Sequence, residues 1–409
     1  MMLLKRAILP AAAGLLLLGG CTFFDGSGGE ASDGRSADRD RELFVIHSLA
    51  ETISSVELTS DGSLGDVQND VQTLGAVPNQ ILRVGEELIV TLSGQNELLR
   101  LDESTLRVTG RINHGAGSNP METTPLVPGA TSNDAAAGLL VTTHLLAARV
   151  QIDDLQDRSW DPPPPWTHDV GQAPQALISL PGSSPDQVRL LVANTNFSTD
   201  SAAPSPFGRA TLSSMVFELP GTGSAGAVER VDKETIDLEP ADFDPEHDSG
   251  TNPTALIDAP SLGEVLVVGS GINYGAEGTG EDDGVLVTLN RDTLTVQERH
   301  NVGGSPGAAV LLPEGTGHRL YLGGPTGIRS LKHDGTEWAA EARREYDATG
   351  NGDSLPFIAD LARYENTIYA ADFANNRILA FAVGDNGVLS LREEVRLSQG
   401  PIALLIDLE

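Results

Sequence analysis

An unfinished repeat constrains this chain more than any other feature. Six times a glycine leads within a few residues to a proline that opens an apolar strand. The segments are GAVPNQIL from Gly75, GSNPMETT from Gly117, GQAPQALI from Gly171, GTNPTALI from Gly250, GGSPGAAV from Gly303 and, one residue longer, GDSLPFIA from Gly352. After each come a second apolar run and polar closing segments, so one unit reads as four strands. A seventh opening, QGPIALLIDLE from Gln399, is followed by nothing, whereas ELFVIHS from Glu42 starts directly with the second element. A ring resolves both defects if Pro401 to Leu408 pairs beside Leu43 to His47.

The prolines Pro78, Pro120, Pro174, Pro253, Pro306, Pro356 and Pro401 are spaced by 42, 54, 79, 53, 50 and 45 residues, centred on the length of propeller blades. A lone four-stranded blade cannot bury both of its faces. Stacking it on neighbours does so, and closure leaves no terminal blade to cap. The expected fold is therefore all-β: a seven-bladed β-propeller of four-stranded antiparallel blades over residues 42–409, with the C-terminal strand joining blade 1. The glycine ahead of each strand is expected to give the blade junction its permissive backbone. The proline falls where its missing N–H costs nothing.

Residues 1–20 read as a leader: Lys5 and Arg6, then an apolar stretch from Ala7 to Leu18 that is too short to span a membrane. Leu18-Gly19-Gly20-Cys21 resembles the lipobox of bacterial lipoproteins. The resemblance implies acylation of Cys21, removal of the leader and attachment of the protein to a membrane only through that lipid. Thr22 rather than Asp after the cysteine points to the outer membrane or cell surface. Residues 21–41 are rich in Gly, Ser and Asp and read as a tether. Cys21 is the single cysteine, which excludes intrachain disulfides, haem attachment and cysteine-based zinc sites.

The net charge is −32, and becomes −34 once Lys5 and Arg6 leave. Such a field excludes nucleic acid as a partner. The acids are spread along the chain, and lysine occurs only at positions 5, 233 and 332, a pattern that fits either salt adaptation or a field with a function.

NTIYAADFANNRILAFAVGDNGVLS (366–390) resembles the repeat of lactonase-type propellers, and ELFVIHSLAETISSVELTSDGSL (42–64) follows the same scheme. VLVTLNRDTLTVQERHNVGGSP (285–306) and LLRLDESTLRVTGRINHGAGSNP (98–120) are similar to YVTN-type surface propeller repeats. The resemblance implies the architecture; it carries over no catalytic residue.

In such a blade the second-to-third turn and the blade-to-blade connection open on one face. The long segments 194–209, 270–284 and 233–252 therefore rise together over blades 4 and 5, where binding loops usually reside. Two acidic stretches have calcium-ligand spacing: Asp242, Asp244 and Asp248, and Asp347, Asn351 and Asp353. Ca2+ is the ion whose ligand spacing these segments approach, although each departs from an EF-hand loop, and no motif demands a cofactor. Trp160 to Trp166 encloses four prolines that would block edge pairing in blade 3 or offer a polyproline contact.

Aligning the second strands places His47, Leu92, Thr143, Asn194, Gly269, Gly324 and Asp372 at the mouth, with His144 next in line and Glu122 at a blade opening. A lactonase-like hydrolase would use Asp372 or Glu122 as base, His47 or His144 as acid and Arg377 as the electrostatic partner. Asn194, Tyr274 and Asn375 are the candidates for ligand contact. No HExxH motif or phosphate loop occurs. The expectation is a monomeric binding or scaffold module for a protein or small-molecule ligand, with a lactonase-like hydrolase as the alternative.

Overall fold

The computed structural model describes residues 41–126, 138–155, 166–197, 208–219, 228–244, 250–271, 283–347 and 355–408. These residues form seven sheets of four antiparallel strands. The innermost strands of blades 1 to 7 are Pro401–Leu408, Pro78–Val84, Pro120–Pro125, Pro174–Pro181, Pro253–Ala259, Ala308–Glu314 and Ile358–Tyr364. Each touches the innermost strands on both sides, blade 7 touching blade 1, so the sheets close into a ring around a central channel. The fold is a seven-bladed β-propeller.

The C-terminal strand completes blade 1 as the repeat requires. Pro401–Leu408 lies antiparallel to Arg41–His47, with Leu43 opposite Ile406 and Val45 opposite Leu404. Across the seam from blade 7, Tyr369 Oη donates to Gly62 O at 2.6 Å, and Glu393 Oε1 accepts the Leu64 N–H at 2.9 Å.

Second strands such as Glu87–Leu92 and Thr367–Asp372 are almost wholly buried. Their sequences run apolar without alternation because both faces of a blade are covered. Outer strands such as Glu229–Asp237 carry the exposed polar residues. Seven apolar clusters correspond to the seven blade-to-blade interfaces. Each buried Val, Leu or Ile in them contributes about 1.5–3 kcal/mol. The cluster between blades 2 and 3 is the thinnest, with Ile89, Leu98, Leu140 and Leu155 as its buried members. Polar groups fill the rest: Thr91, Thr123 and Thr142 are linked through their hydroxyls at 3.0 and 3.1 Å.

Left-handed backbone at the blade junctions falls on the residue just before the inner strand. Val77, Asn119, Ala173, Asn252, Ser305 and Gly400 have φ between 43° and 75°. The carbonyls of five of them accept the N–H that follows the second strand, as in Ser93 to Val77 at 3.0 Å and Leu145 to Asn119 at 3.0 Å. Those bonds fix the conformation whatever the side chain. The glycine expectation therefore holds at Gly75, Gly117 and Gly303, which also have positive φ, but the constrained position is the neighbour of the proline. Second-to-third turns and blade junctions share the upper face. Arg41 and Leu408 are strand ends at the lower face.

Candidate functional site

One register position on the innermost strands separates three blades from the other four. The residue opposite the penultimate residue of the second strand is Ala403, Gln80, Ala176, Ala255, Ala308 and Asp360 in blades 1, 2, 4, 5, 6 and 7. In blade 3 the place belongs to Glu122, two residues after Pro120 as Gln80 is after Pro78, with its N–H donating to Thr143 Oγ1 at 3.1 Å. The three polar side chains do the same local work. Gln80 Oε1 accepts the Thr123 N–H at 2.6 Å, Glu122 Oε2 accepts the Leu177 N–H at 3.1 Å, and Asp360 Oδ2 accepts the Leu404 N–H at 2.8 Å. Each thus clamps its blade to the inner strand of the next.

Two of these clamps are half-buried carboxyls on the innermost strands. Burial pushes Glu122 up to about 8; the Leu177 N–H opposes the shift, and the charge of Asp360 adds to it. Burial pushes Asp360 up to about 6 against the N–H groups of Leu404 and Leu361. Around neutral pH Glu122 is mostly protonated and Asp360 mostly ionised. Carboxyls split in this way can donate and accept a proton.

The residues that end the second strands are placed differently. His47, His144, Asn194 and Asp372 pair opposite Pro401, Pro120, Pro174 and Ile358, and all four are fully buried. His144, not Thr143, holds this position in blade 3; the alignment by sequence was one residue short there. Asp372 Oδ2 accepts from Arg377 Nε at 2.9 Å and from Asn375 Nδ2 at 2.8 Å, while Oδ1 accepts the Phe357 N–H at 3.2 Å. Arg377 also donates to Glu394 at 2.7 Å. Asn194 Nδ2 donates to Thr211 and Ser213 within blade 4. His47 Nε2 lies 2.8 Å from Ser54 Oγ, and burial lowers its pKa to about 4 despite the nearby Asp70.

His144 belongs to a chain that crosses from blade 2 to blade 3. Arg149 Nε donates to His144 Nδ1 at 3.1 Å, which leaves the proton on Nε2. That nitrogen lies 3.0 Å from His114 Nδ1, and His114 Nε2 lies 3.0 Å from Asp153 Oδ2. Two neutral imidazoles satisfy every contact in this order. Burial, then His114 and Arg149, lower His144 to about 2, so it stays neutral at any physiological pH.

The structure therefore joins Asp372, Asn375 and Arg377 in one hydrogen-bonded cluster, His144 to His114, and Glu122 to Asp360 electrostatically. His47 and Asn194 each bond within their own blade. Asp242, Asp244 and Asp347 are described; Cys21, Tyr274, Asp248, Asn351, Asp353 and the four prolines between Trp160 and Trp166 lie outside the described residues. Among the described residues no group of three or more His, Cys, Asp or Glu is placed to hold a metal ion. The connection after blade 4 is held by Arg209, which donates to Asp237 at 2.7 Å and Pro240 O at 2.7 Å and stacks over Phe243.

Sequence reasoning missed Gln80 and Asp360 as the counterparts of Glu122. The signal was present: the second residue after the proline reads Gln, Glu, Ala, Ala, Ala and Ala in six units. In blade 7 Ile358 takes the proline's register, which moves the equivalent residue to Asp360.

No family model matches the chain, and no curated protein matches it. Solved structures share the fold at low identity. A 6-phosphogluconolactonase-like protein of Bacteroides uniformis superposes with a TM-score of 0.60 at 13% identity, covering 90% of this chain and 100% of its own. A second, from Bacteroides fragilis, gives 0.58 at 12%, covering 92% and 100%. Apo AztD of Citrobacter koseri gives 0.50 at 12%, covering 90% and 98%. At such identities the likeness speaks for the fold alone.

Proposed function

We propose that the protein is an exported, lipid-anchored binding module rather than a lactone hydrolase. One observation carries this reading: two of the polar residues best suited to acid–base chemistry, Asp372 and His144, are already committed to structural bonds. Asp372 is neutralised by Arg377 and capped by Phe357 and Asn375. His144 is held neutral between Arg149 and His114. Glu122 and Asp360 each give an oxygen to the next blade. Hydrolysis needs a base with a free lone pair toward water and a nearby donor for the oxyanion. Asp372 and His144 are spent in this way.

The leader, Cys21 and the segment after it supply export and anchorage. The expected sorting is to the outer membrane or cell surface, with a protein or small-molecule ligand and no nucleic acid.

Hydrolysis of glucono-δ-lactone, followed with and without Ca2+, tests the choice between the two readings. The expected result is no turnover above the uncatalysed rate in either condition. Turnover that Asp372→Ala abolishes while the fold persists would replace the binding module with a hydrolase.

A further inference from the structure

On the upper face, charge is gathered on the long connections and is thin elsewhere. Ten upper-face connections can be followed completely outside the long insertions. They are residues 48–51, 93–96, 145–148, 325–326 and 373–376 among the turns, and 74–77, 114–119, 170–173, 302–307 and 397–400 among the junctions. Their only Asp, Glu, Lys or Arg is Glu51. Ten fully described lower-face connections carry twelve, among them Asp61, Glu103, Arg291, Asp334 and Asp385. In a chain with 58 acids, these connections form an arc of the upper face that is nearly uncharged apart from Asp347, which is paired with Arg344 at the entry to the blade 7 connection.

The same arc carries the apolar exposure. Leu49, Leu146 and Leu355 are 50%, 51% and 64% exposed, the three most exposed large apolar residues among those described, and they stand on blades 1, 3 and the approach to blade 7. The other exposed large apolar residues lie on outer strands or, for Val388, on a lower-face turn. The turns are rigidly held: Ser48 donates to Gly400 O at 2.8 Å, Leu145 to Asn119 O at 3.0 Å and Phe373 to Phe357 O at 2.8 Å. Beside the arc, the blade 4 to 5 connection exposes Asp242 and Asp244.

We propose that this arc is the docking surface for another exported protein, through a segment with an apolar centre and basic residues at one end. The proposal rests on the binding-module reading and names its surface and partner chemistry. Loss of charge with gain of apolar exposure is the composition of an interface core. Apolar side chains of the partner cover Leu49, Leu146 and Leu355, and its basic end meets Asp242 and Asp244. The bilayer is the less suitable occupant. Residue 41, where the lipid-bearing segment joins the ring, is at the lower face, and the strongly acidic chain is repelled by anionic headgroups. A second copy would bring the two acidic connections and two strongly negative bodies together.

Random 12-residue peptides displayed on phage and selected on the full chain in phosphatidylcholine nanodiscs test this. The expected winners combine Leu, Phe or Trp with Lys or Arg at one end. Replacing Leu49, Leu146 and Leu355 by Asp together is expected to weaken the best peptide at least tenfold with the melting midpoint unchanged. Asp242→Asn with Asp244→Asn is expected to weaken it severalfold and flatten its salt dependence. Winners that are acidic, no enrichment, or binding that survives the triple substitution overturn the proposal. So does a blue shift of Leu146→Trp fluorescence on adding phosphatidylcholine vesicles, which would assign the arc to the bilayer. Lactone turnover would sink the binding-module reading, whereas failed peptide binding without turnover removes only this surface.

Discussion

Asp360 on the innermost strand of blade 7 accepts the backbone N–H of Leu404 on the C-terminal strand at 2.8 Å. This bond ties the last strand of the chain to the blade before it, while pairing with Arg41–His47 ties the same strand to the first. Ring closure therefore depends on the eight residues Pro401–Leu408.

Ending the chain at Ser398 removes that strand and uncovers Val45, Ile46 and the clusters on both sides of blade 1. The loss of buried apolar surface amounts to several kcal/mol, a large part of a typical folding free energy. Circular dichroism melting is expected to show a much lower and broader transition. An unchanged midpoint contradicts closure by this strand.

The raised carboxyls predict a stability that falls with pH. Glu122 binds its proton more tightly folded, near 8, than unfolded, near the ordinary 4.5. Its contribution is fully present below about 4.5 and is lost as pH rises through about 8. Asp360 acts in the same sense between about 3.8 and 6. Glu122→Gln keeps an acceptor for Leu177, as Gln80 does for Thr123, and has no charge to bury. After allowance for water reaching the carboxyl, it is expected to stabilise the protein by about 1–2 kcal/mol at pH 9 and hardly at all at pH 4. Urea midpoints at the two pH values check this; equal gains at both would refute it.

Removing one half of the buried pair in blade 7 is expected to cost far more than softening the other. Arg377→Met leaves the Asp372 carboxylate, fully buried, without its cation, at about 3–5 kcal/mol. Asp372→Asn retains an acceptor for Phe357 and leaves Arg377 its bond to Glu394, so about 1–2 kcal/mol is expected. Denaturant unfolding of the two variants should rank them in that order.

Val77 is a β-branched residue at φ 53°, in the place that Asn119 and Asn252 fill in other blades. Val77→Asn relieves the backbone strain and is expected to stabilise by about 1 kcal/mol. A lower melting midpoint for the variant would mean that packing of the valine outweighs the strain.

Blade number, strand order and the ring seam were legible because burial of a repeated sheet imposes a period, and the period survives in Pro78, Pro120, Pro174, Pro253 and Pro401. The site was only half legible. Glu122 stood out by its place after Pro120, but Asp360 was hidden by the two-residue offset that puts Ile358 in the proline's register. His144 was displaced by one position because the second strand of blade 3, LLVTTH, offers two candidate ends. The roles of His114 and Asp153 arise from contacts between blades, and local sequence carries no record of those.

Cys21 decides whether the module is tethered at its lower face, as the account requires. Mass spectrometry of the mature N-terminus, on protein extracted from membranes, measures it directly. The account predicts a chain that begins at Cys21 with a lipid-modified cysteine. A chain cleaved elsewhere, or one that carries an unmodified Cys21, contradicts it.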